Sequence, residues 1–165
     1  MSGLLRNLLT LLAAWPRRGS AAPDARVSAW FHVTPLDTGI ATLKSDRYLQ
    51  IAEAAQLDYL LQTGLMGRIL KNRWQFVNAS QLVKFMRPVR MFDRIRVDSQ
   101  VVYADAKCAW FRHSFVVHDA THAEVLVKMK FKSGPVTVAP SEVLGAFTGG
   151  KPAGLQQWDE TLDAL

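Results

Sequence analysis

The sequence predicts an α+β domain in which an antiparallel sheet wraps around one central helix, running from Ser45 to Gly64. Apolar residues cover most of the circumference of this helix, so protein must surround it on nearly all sides. Much of the chain after residue 70 instead alternates apolar and polar residues at period two, and short turns separate these stretches. We therefore expect one buried helix against several antiparallel strands.

The ends of the central helix carry recognisable signals. Ser45 suits the N-cap position, and Asp46 in the first turn interacts favourably with the helix dipole. Gly64 fits the left-handed position that terminates helices.

The remaining elements are assigned by pattern. Strands are predicted within 26–35, 74–85, 95–103, 109–117 and 125–131, and short helices are predicted at 65–70 and from Ser141. Lys128, Lys130 and Lys132 alternate with the apolar residues of the last strand, which predicts a solvated, basic outer face. The chain divides into an amphipathic segment and linker at 1–24, a domain at 25–147 and a polar tail with a terminal turn at 148–165. Because one sheet curled around one helix leaves an edge and part of a face uncovered, we expect a homodimer or a higher homo-oligomer.

The segment 4–15 is strongly apolar but twelve residues long, whereas a membrane-spanning helix needs about twenty. On a helix its leucines share one broad face opposite Asn7 and Thr10, and Arg17 and Arg18 follow. This pattern favours a helix in a membrane interface, with a membrane surface as partner through residues 1–18. Two alternatives are a secretory signal, for which the basic pair lies on the wrong side, and an amphipathic helix docked on the protein itself.

Composition limits the function further. The net charge of +6 and pI of about 9.8 indicate an anionic partner or a solvated basic surface. Because the chain has no zinc-finger, helix-turn-helix or RNP-like pattern, nucleic acid is not expected as a partner. The single cysteine, Cys108, cannot form an internal disulfide. This favours a cytoplasmic location, peripheral to the inner face of a membrane if the N-terminal segment binds lipid.

These elements, together with short motifs, resemble a known family. The stretch Ser45-Asp46-Arg47-Tyr48-Leu49, the later acid Glu53 and the turn Arg87-Pro88 followed by Asp93 are similar to features of hotdog-fold acyl-CoA thioesterases of the 4-hydroxybenzoyl-CoA type, especially a branch with membrane-associated members. The resemblance covers about residues 26–140. It implies the hotdog fold, pairing of two protomers edge to edge, and hydrolysis of the thioester of a fatty or aromatic acyl-CoA.

The resemblance also implies site residues. Active members commonly carry two acids in the loop before the central helix, and here Asp37 is the acid that remains. Asp37 is therefore a candidate catalytic residue, with a turn-stabilising Asx residue as the alternative. Free amides at the helix start, around Ser45, Asp46 and Arg47, would bind the oxyanion and substrate.

Glu53 interrupts an otherwise apolar helix and is the second candidate catalytic residue. A buried carboxylate would have a raised pKa and act as a general base, whereas a Glu at a solvent gap or paired with Arg112 would be structural. Arg87 and Arg90 could bind the phosphates of coenzyme A or remain solvated.

Other chemistry is not favoured. His118 and His122 lie in one hairpin without a third metal ligand, so neither a metal nor a cofactor is predicted. The loop before the central helix lacks the histidine that the related dehydratases would require. The alternative to an acyl-CoA thioesterase is a non-catalytic acyl- or lipid-binding module at a membrane, because the second loop acid is missing.

Overall fold

The computed structural model describes residues 3–165, so residues 1 and 2 of the predicted N-terminal segment lie outside the described part. The helices are α1 (Gly3–Ala14), α2 (Ser45–Gln62), α3 (Leu65–Lys71), α4 (Pro140–Leu144) and α5 (Ala153–Asp163). The strands are β1 (Val27–His32), β2 (Gln75–Phe85), β3 (Arg94–Ala104), β4 (Ala109–Val117), β5 (Ala120–Ser133) and β6 (Val136–Val138). Short 3-10 turns occur at Trp15–Arg17 and Pro35–Asp37.

The strands form one antiparallel sheet in the order β1-β3-β4-β5-β2, and β6 pairs with the end of β5. The inner face of this sheet packs against α2 in one hydrophobic core. Tyr59 of α2, for example, is fully buried and contacts Phe111 of β4 edge to face. The predicted arrangement of a sheet wrapped around a central helix is confirmed.

The ends of α2 agree with the prediction to within a residue or two. Lys44 occupies the N-cap position and Ser45 begins the helix. Gly64 has a φ of 74°, the left-handed conformation that lets the chain turn from α2 into α3. Asp58 of α2 is buried, and Arg17 and Gln62 donate hydrogen bonds to its carboxylate.

Helix α1 packs along α2 near β1, and the two helices run in the same direction. The contact uses the polar face of α1, where Arg6 is buried. The leucine face points outward, and six large apolar side chains on it or just after it are 46–85% exposed: Leu4, Leu5, Leu8, Leu9, Leu12 and Trp15. The helix therefore docks on the protein, as one alternative predicted, yet leaves its apolar face uncovered. Within residues 3–165, no helix combines the length and hydropathy needed to cross a bilayer.

The segment predicted as a polar tail forms helix α5, which packs on the outer face of the sheet. Leu155 and Trp158 join Trp110 of β4 in a second apolar cluster. Asp159 accepts a hydrogen bond from Lys128 Nζ at 2.9 Å and another from Lys151. The expectation of a solvated outer face on β5 is therefore wrong at Lys128, because α5 covers that part of the strand.

We predict that Trp158→Ala lowers the free energy of unfolding by about 3 kcal/mol, because it removes a nearly buried aromatic ring from the α5 contact. Urea denaturation followed by tryptophan fluorescence and far-UV circular dichroism measures this. Gln157→Ala, at an exposed position of the same helix, is the control and should change the value by less than about 0.5 kcal/mol. Equal stabilities of the two variants would mean that α5 does not pack as described.

Candidate active site

A cavity of about 410 Å³ opens at the start of α2. One wall consists of the loop and helix residues Thr42, Leu43, Ser45 and Tyr48. The other consists of Phe85 at the end of β2 and of Met86, Arg87 and Pro88 after it. The two walls meet where the Tyr48 and Phe85 rings contact edge to face, 5.0 Å between centroids. The cavity therefore places polar groups of a helix N-terminus beside an apolar surface, which is the usual composition of a small-molecule site.

The loop before α2 is held by local hydrogen bonds. Thr34 and Asp37 cap the 3-10 turn reciprocally. Farther on, Leu43 donates its N–H to Val89 at 2.9 Å, and Thr42 pairs with Arg90 in an isolated bridge. These contacts connect the loop to the segment after β2, so they fix the position of one cavity wall relative to the other.

The start of α2 supplies donors to this region. The amides of Ser45 and Asp46 precede the first acceptor that an α-helix provides, so they point out of the helix end. Among the predicted substrate-binding residues, Ser45 lines the cavity. The Asp46 and Arg47 side chains lie 3.7 Å apart, and Arg47 also donates a hydrogen bond to Gln50 at 2.6 Å. Their side chains therefore interact along the helix.

Asp37 is fully buried, and both of its carboxylate oxygens accept hydrogen bonds. Arg6 Nη2 lies 2.5 Å from Oδ1, while the Thr34 hydroxyl and N–H donate to Oδ2 at 2.7 and 3.1 Å. Burial alone would raise the pKa of Asp37, but the Thr34 hydrogen bonds and the Arg6 guanidinium outweigh it and hold the pKa at about 2. The carboxylate is ionised, and its position is determined by α1 and the loop.

Glu53 is exposed rather than buried. Its side chain leaves the surface of α2 beside α1, where Asn7 Nδ2 donates a hydrogen bond to Oε1 at 3.1 Å. The alternative of a buried carboxylate is therefore wrong, because the sheet and α1 leave a gap at this point of the helix circumference. The solvent-gap alternative describes this side chain.

Arg87 and Arg90, the predicted coenzyme A ligands, lie near each other in the segment after β2. Both side chains are exposed and line a second cavity of about 330 Å³ with His118 and His122. His122 Nδ1 lies 3.0 Å from the Pro88 carbonyl oxygen. Arg87 also lines the first cavity, so the two cavities adjoin at this side chain. The arrangement places two cations next to the helix-start donors.

His118 lies in the turn between β4 and β5, and His122 lies early in β5. Across residues 3–165, no group of three or more His, Cys, Asp or Glu side chains is arranged to hold a metal ion.

Two residues at or near the cavity were missed from the sequence. Tyr48 contributes to the cavity wall, where its ring contacts that of Phe85 at the end of β2. Nothing in the sequence around either residue indicates this contact. Arg6 forms the ion pair with Asp37. Arg6 is the one charged residue within the sequence of α1, and this isolated charge could have indicated its role.

Solved structures of other proteins, two of them named probable thioesterases, share this architecture. A probable thioesterase from Escherichia coli, YbaW, superimposes with a TM-score of 0.66 at 16% identity, covering 72% of this chain and 96% of that one. A probable thioesterase from Bartonella henselae gives 0.61 at 14% identity, covering 70% and 98%. The Staphylococcus aureus protein SAV2348, solved in complex with CoA, gives 0.62 at 11% identity, covering 82% and 94%. These likenesses concern the fold, and they confirm the predicted hotdog fold.

Comparison of the amino-acid sequence with known protein families identifies the family of this chain. No curated protein sequence matches the chain significantly. A family model described as the thioesterase-like superfamily matches residues 33–147, which span the loop, α2 and the whole sheet after β1. Because this match, over residues 33–147, covers more than two thirds of the chain, the protein belongs to the thioesterase-like superfamily.

Proposed function

We propose that this protein hydrolyses the thioester bond of an acyl-CoA that carries a fatty or aromatic acyl group. The observation that carries the proposal is the cavity at the start of α2, where helix-start amides and Arg87 meet in a thioesterase-like fold. The apolar wall around Phe85 and Met86 would contact the acyl group, and the helix start would contact the thioester.

Coenzyme A fits the charge of the region. Its phosphates are anionic, and Arg87 and Arg90 offer two exposed guanidinium groups next to the cavity. The Staphylococcus aureus protein of the same fold was solved with CoA, which supports this choice of ligand.

The helix start would bind the oxyanion. When water attacks the thioester carbon, the carbonyl oxygen becomes negatively charged, and the outward N–H groups of Ser45 and Asp46 can donate hydrogen bonds to it. The positive end of the α2 dipole stabilises the same charge. The C–S bond then breaks, and the CoA thiolate leaves and takes up a proton.

We assign the general base to Glu53 rather than Asp37. A base must accept a proton from water, and Asp37 is fully buried and accepts hydrogen bonds from Arg6 and Thr34, whereas Glu53 is exposed. Glu53 follows Ser45 by eight residues on one helix, which is a rise of about 12 Å. That distance is too long for both to act on one thioester, so we assign the base to Glu53 of a second protomer.

A homodimer would bring these groups together. β2 forms a free edge of the sheet and exposes Val77, Leu82 and Phe85, which are 46–54% accessible. A long, partly apolar edge strand is unfavourable in isolation and is commonly paired with a second copy. We propose pairing along β2, next to the cavity wall that Phe85 provides.

We further propose that the enzyme is peripheral to a membrane through residues 1–18. The outward leucines of α1 suit the interface of a bilayer, and Arg18, whose guanidinium stacks 4.7 Å from the Trp15 ring, suits anionic head groups.

We predict that purified protein hydrolyses members of an acyl-CoA panel that spans chain lengths and aromatic groups, and that Glu53→Gln lowers kcat by about 100-fold or more. Release of the CoA thiol, measured with a thiol reagent, follows the reaction. Glu142→Gln, an exposed acid on α4, is the control and should retain full activity. Acyl-CoA binding without turnover on any member would contradict hydrolysis and favour a non-catalytic acyl-binding module.

We predict that the protein sediments as a dimer and that Val77→Lys raises the dimer dissociation constant by about 10-fold or more, because like charges would face each other across the paired edges. Sedimentation velocity across a dilution series measures this. Val136→Lys, an exposed apolar position on β6, is the control. A monomeric wild-type protein at micromolar concentration would rule out the β2 pairing.

We predict that the protein floats with vesicles containing phosphatidylglycerol and that Leu8→Asp lowers the vesicle-bound fraction by about 10-fold, because one leucine contributes about 1.5–3 kcal/mol on burial. Neutral phosphatidylcholine vesicles should bind less protein. Val136→Asp is the matched control and should bind like the wild type. Equal binding by the Leu8 and Val136 variants would show that α1 is not the lipid contact.

A further inference from the structure

The polar face of α1 reaches the loop of the candidate site. Arg6 is the only charged residue in the sequence of this helix, and its side chain is 3% exposed. Its Nη2 atom lies 2.5 Å from Asp37 Oδ1, although 31 residues separate the two in sequence. The N-terminal helix is thus connected to the loop by a buried ion pair.

This pair is a costly way to hold a helix in place. Removing both charges from water costs several kcal/mol per ion, and replacing a buried ion pair by apolar residues is often neutral or stabilising. Within the described residues, Arg6 Nη1 is also buried without a hydrogen-bond partner. What the structure shows directly is geometric: the buried pair fixes the position of α1 relative to the loop.

The geometry that it specifies leads to the start of α2. While the Asp37 carboxylate is held by Arg6 and Thr34, the Asp37 carbonyl oxygen accepts the N–H of Lys44 at 3.0 Å. Lys44 is the N-cap residue of α2, and Ser45 follows it directly. A shift of Asp37 would accordingly shift the first turn of α2, whose amides line the proposed oxyanion site.

The next residue of α1 makes a second contact of the same kind. Asn7 donates a hydrogen bond to Glu53 at 3.1 Å, so two consecutive residues of α1 hold the two acids nearest to it on the loop and on α2.

We infer that Arg6 is a positioning residue: acting through Asp37, it fixes the first turn of α2, and helix α1 is therefore a working part of the candidate site in addition to a lipid contact. The inference rests on the proposed thioesterase activity for its kinetic consequences. It applies equally in buffer without any membrane.

The kinetic test compares Arg6→Gln, Arg6→Lys and Asp37→Asn in vesicle-free buffer. We expect Arg6→Gln and Asp37→Asn to lower kcat by about 10- to 100-fold with KM changed less than twofold, because oxyanion donors act mainly in the transition state. Arg6→Lys keeps the charge and should recover part of kcat. The control is Arg26→Gln, which removes another arginine–aspartate pair. Arg26 lies 2.8 Å from Asp98 and is 57% exposed. This variant should leave kcat unchanged.

A structural measurement separates this inference from the proposed function. Hydrogen exchange of the Lys44 amide reports the bond to Asp37, and we expect it to accelerate about 10-fold or more in Arg6→Gln relative to wild type and Arg26→Gln. If the wild-type protein shows no turnover, the proposed function is contradicted. The exchange of the Lys44 amide then tests on its own whether Arg6 positions the start of α2. Unchanged Lys44 exchange would overturn the inference, and so would a folded Arg6→Gln variant with wild-type kcat.

Discussion

The burial of α2 is the constraint on which the rest of the structure depends. Its buried side chains, which are mostly apolar but include Gln56, Asp58 and Gln62, occupy most of the circumference. The sheet alone, which covers one side, cannot shield them from water. Helix α1 covers part of the opposite side, and the hydroxyl of Tyr59 donates a hydrogen bond to the Pro23 carbonyl in the segment that connects α1 to the sheet. Covering α2 therefore fixes the N-terminal segment against the domain and brings Arg6 to the loop before α2.

Much of the fold could be predicted because its signals are local. The period-two pattern of the strands, the all-round apolar pattern of α2 and the left-handed Gly64 each depend on neighbouring residues, and each prediction agrees with the structure. Helix α5 was missed because its glycine-rich start and polar composition resemble a tail. Its stability comes from the contact of Trp158 with Trp110 on a strand over 40 residues earlier, which no local pattern records.

The candidate site was less predictable, because its geometry depends on long-range pairs. The sequence indicated where to look: Ser45 and Arg87 line one cavity. It could not show that Asp37 is enclosed by Arg6, since that pair spans 31 residues and two elements. It also left open whether Glu53 is buried or lies at a solvent gap, because periodicity shows how much of a helix is apolar without showing where its covering elements leave a gap.

The inverted docking of α1 connects these points. A leucine gains about 1.5–3 kcal/mol on burial, so a helix free to rotate would turn its leucines inward and its arginine outward. The structure has the opposite arrangement, because only the polar face can complete the Arg6–Asp37 and Asn7–Glu53 contacts. Each face of α1 therefore has a different task. The inner face contacts the loop and α2, and the outer face leaves its leucines exposed. If α1 binds a membrane as we propose, the same twelve residues that contact the lipid also hold Asp37, so membrane binding would restrict the helix that positions the loop.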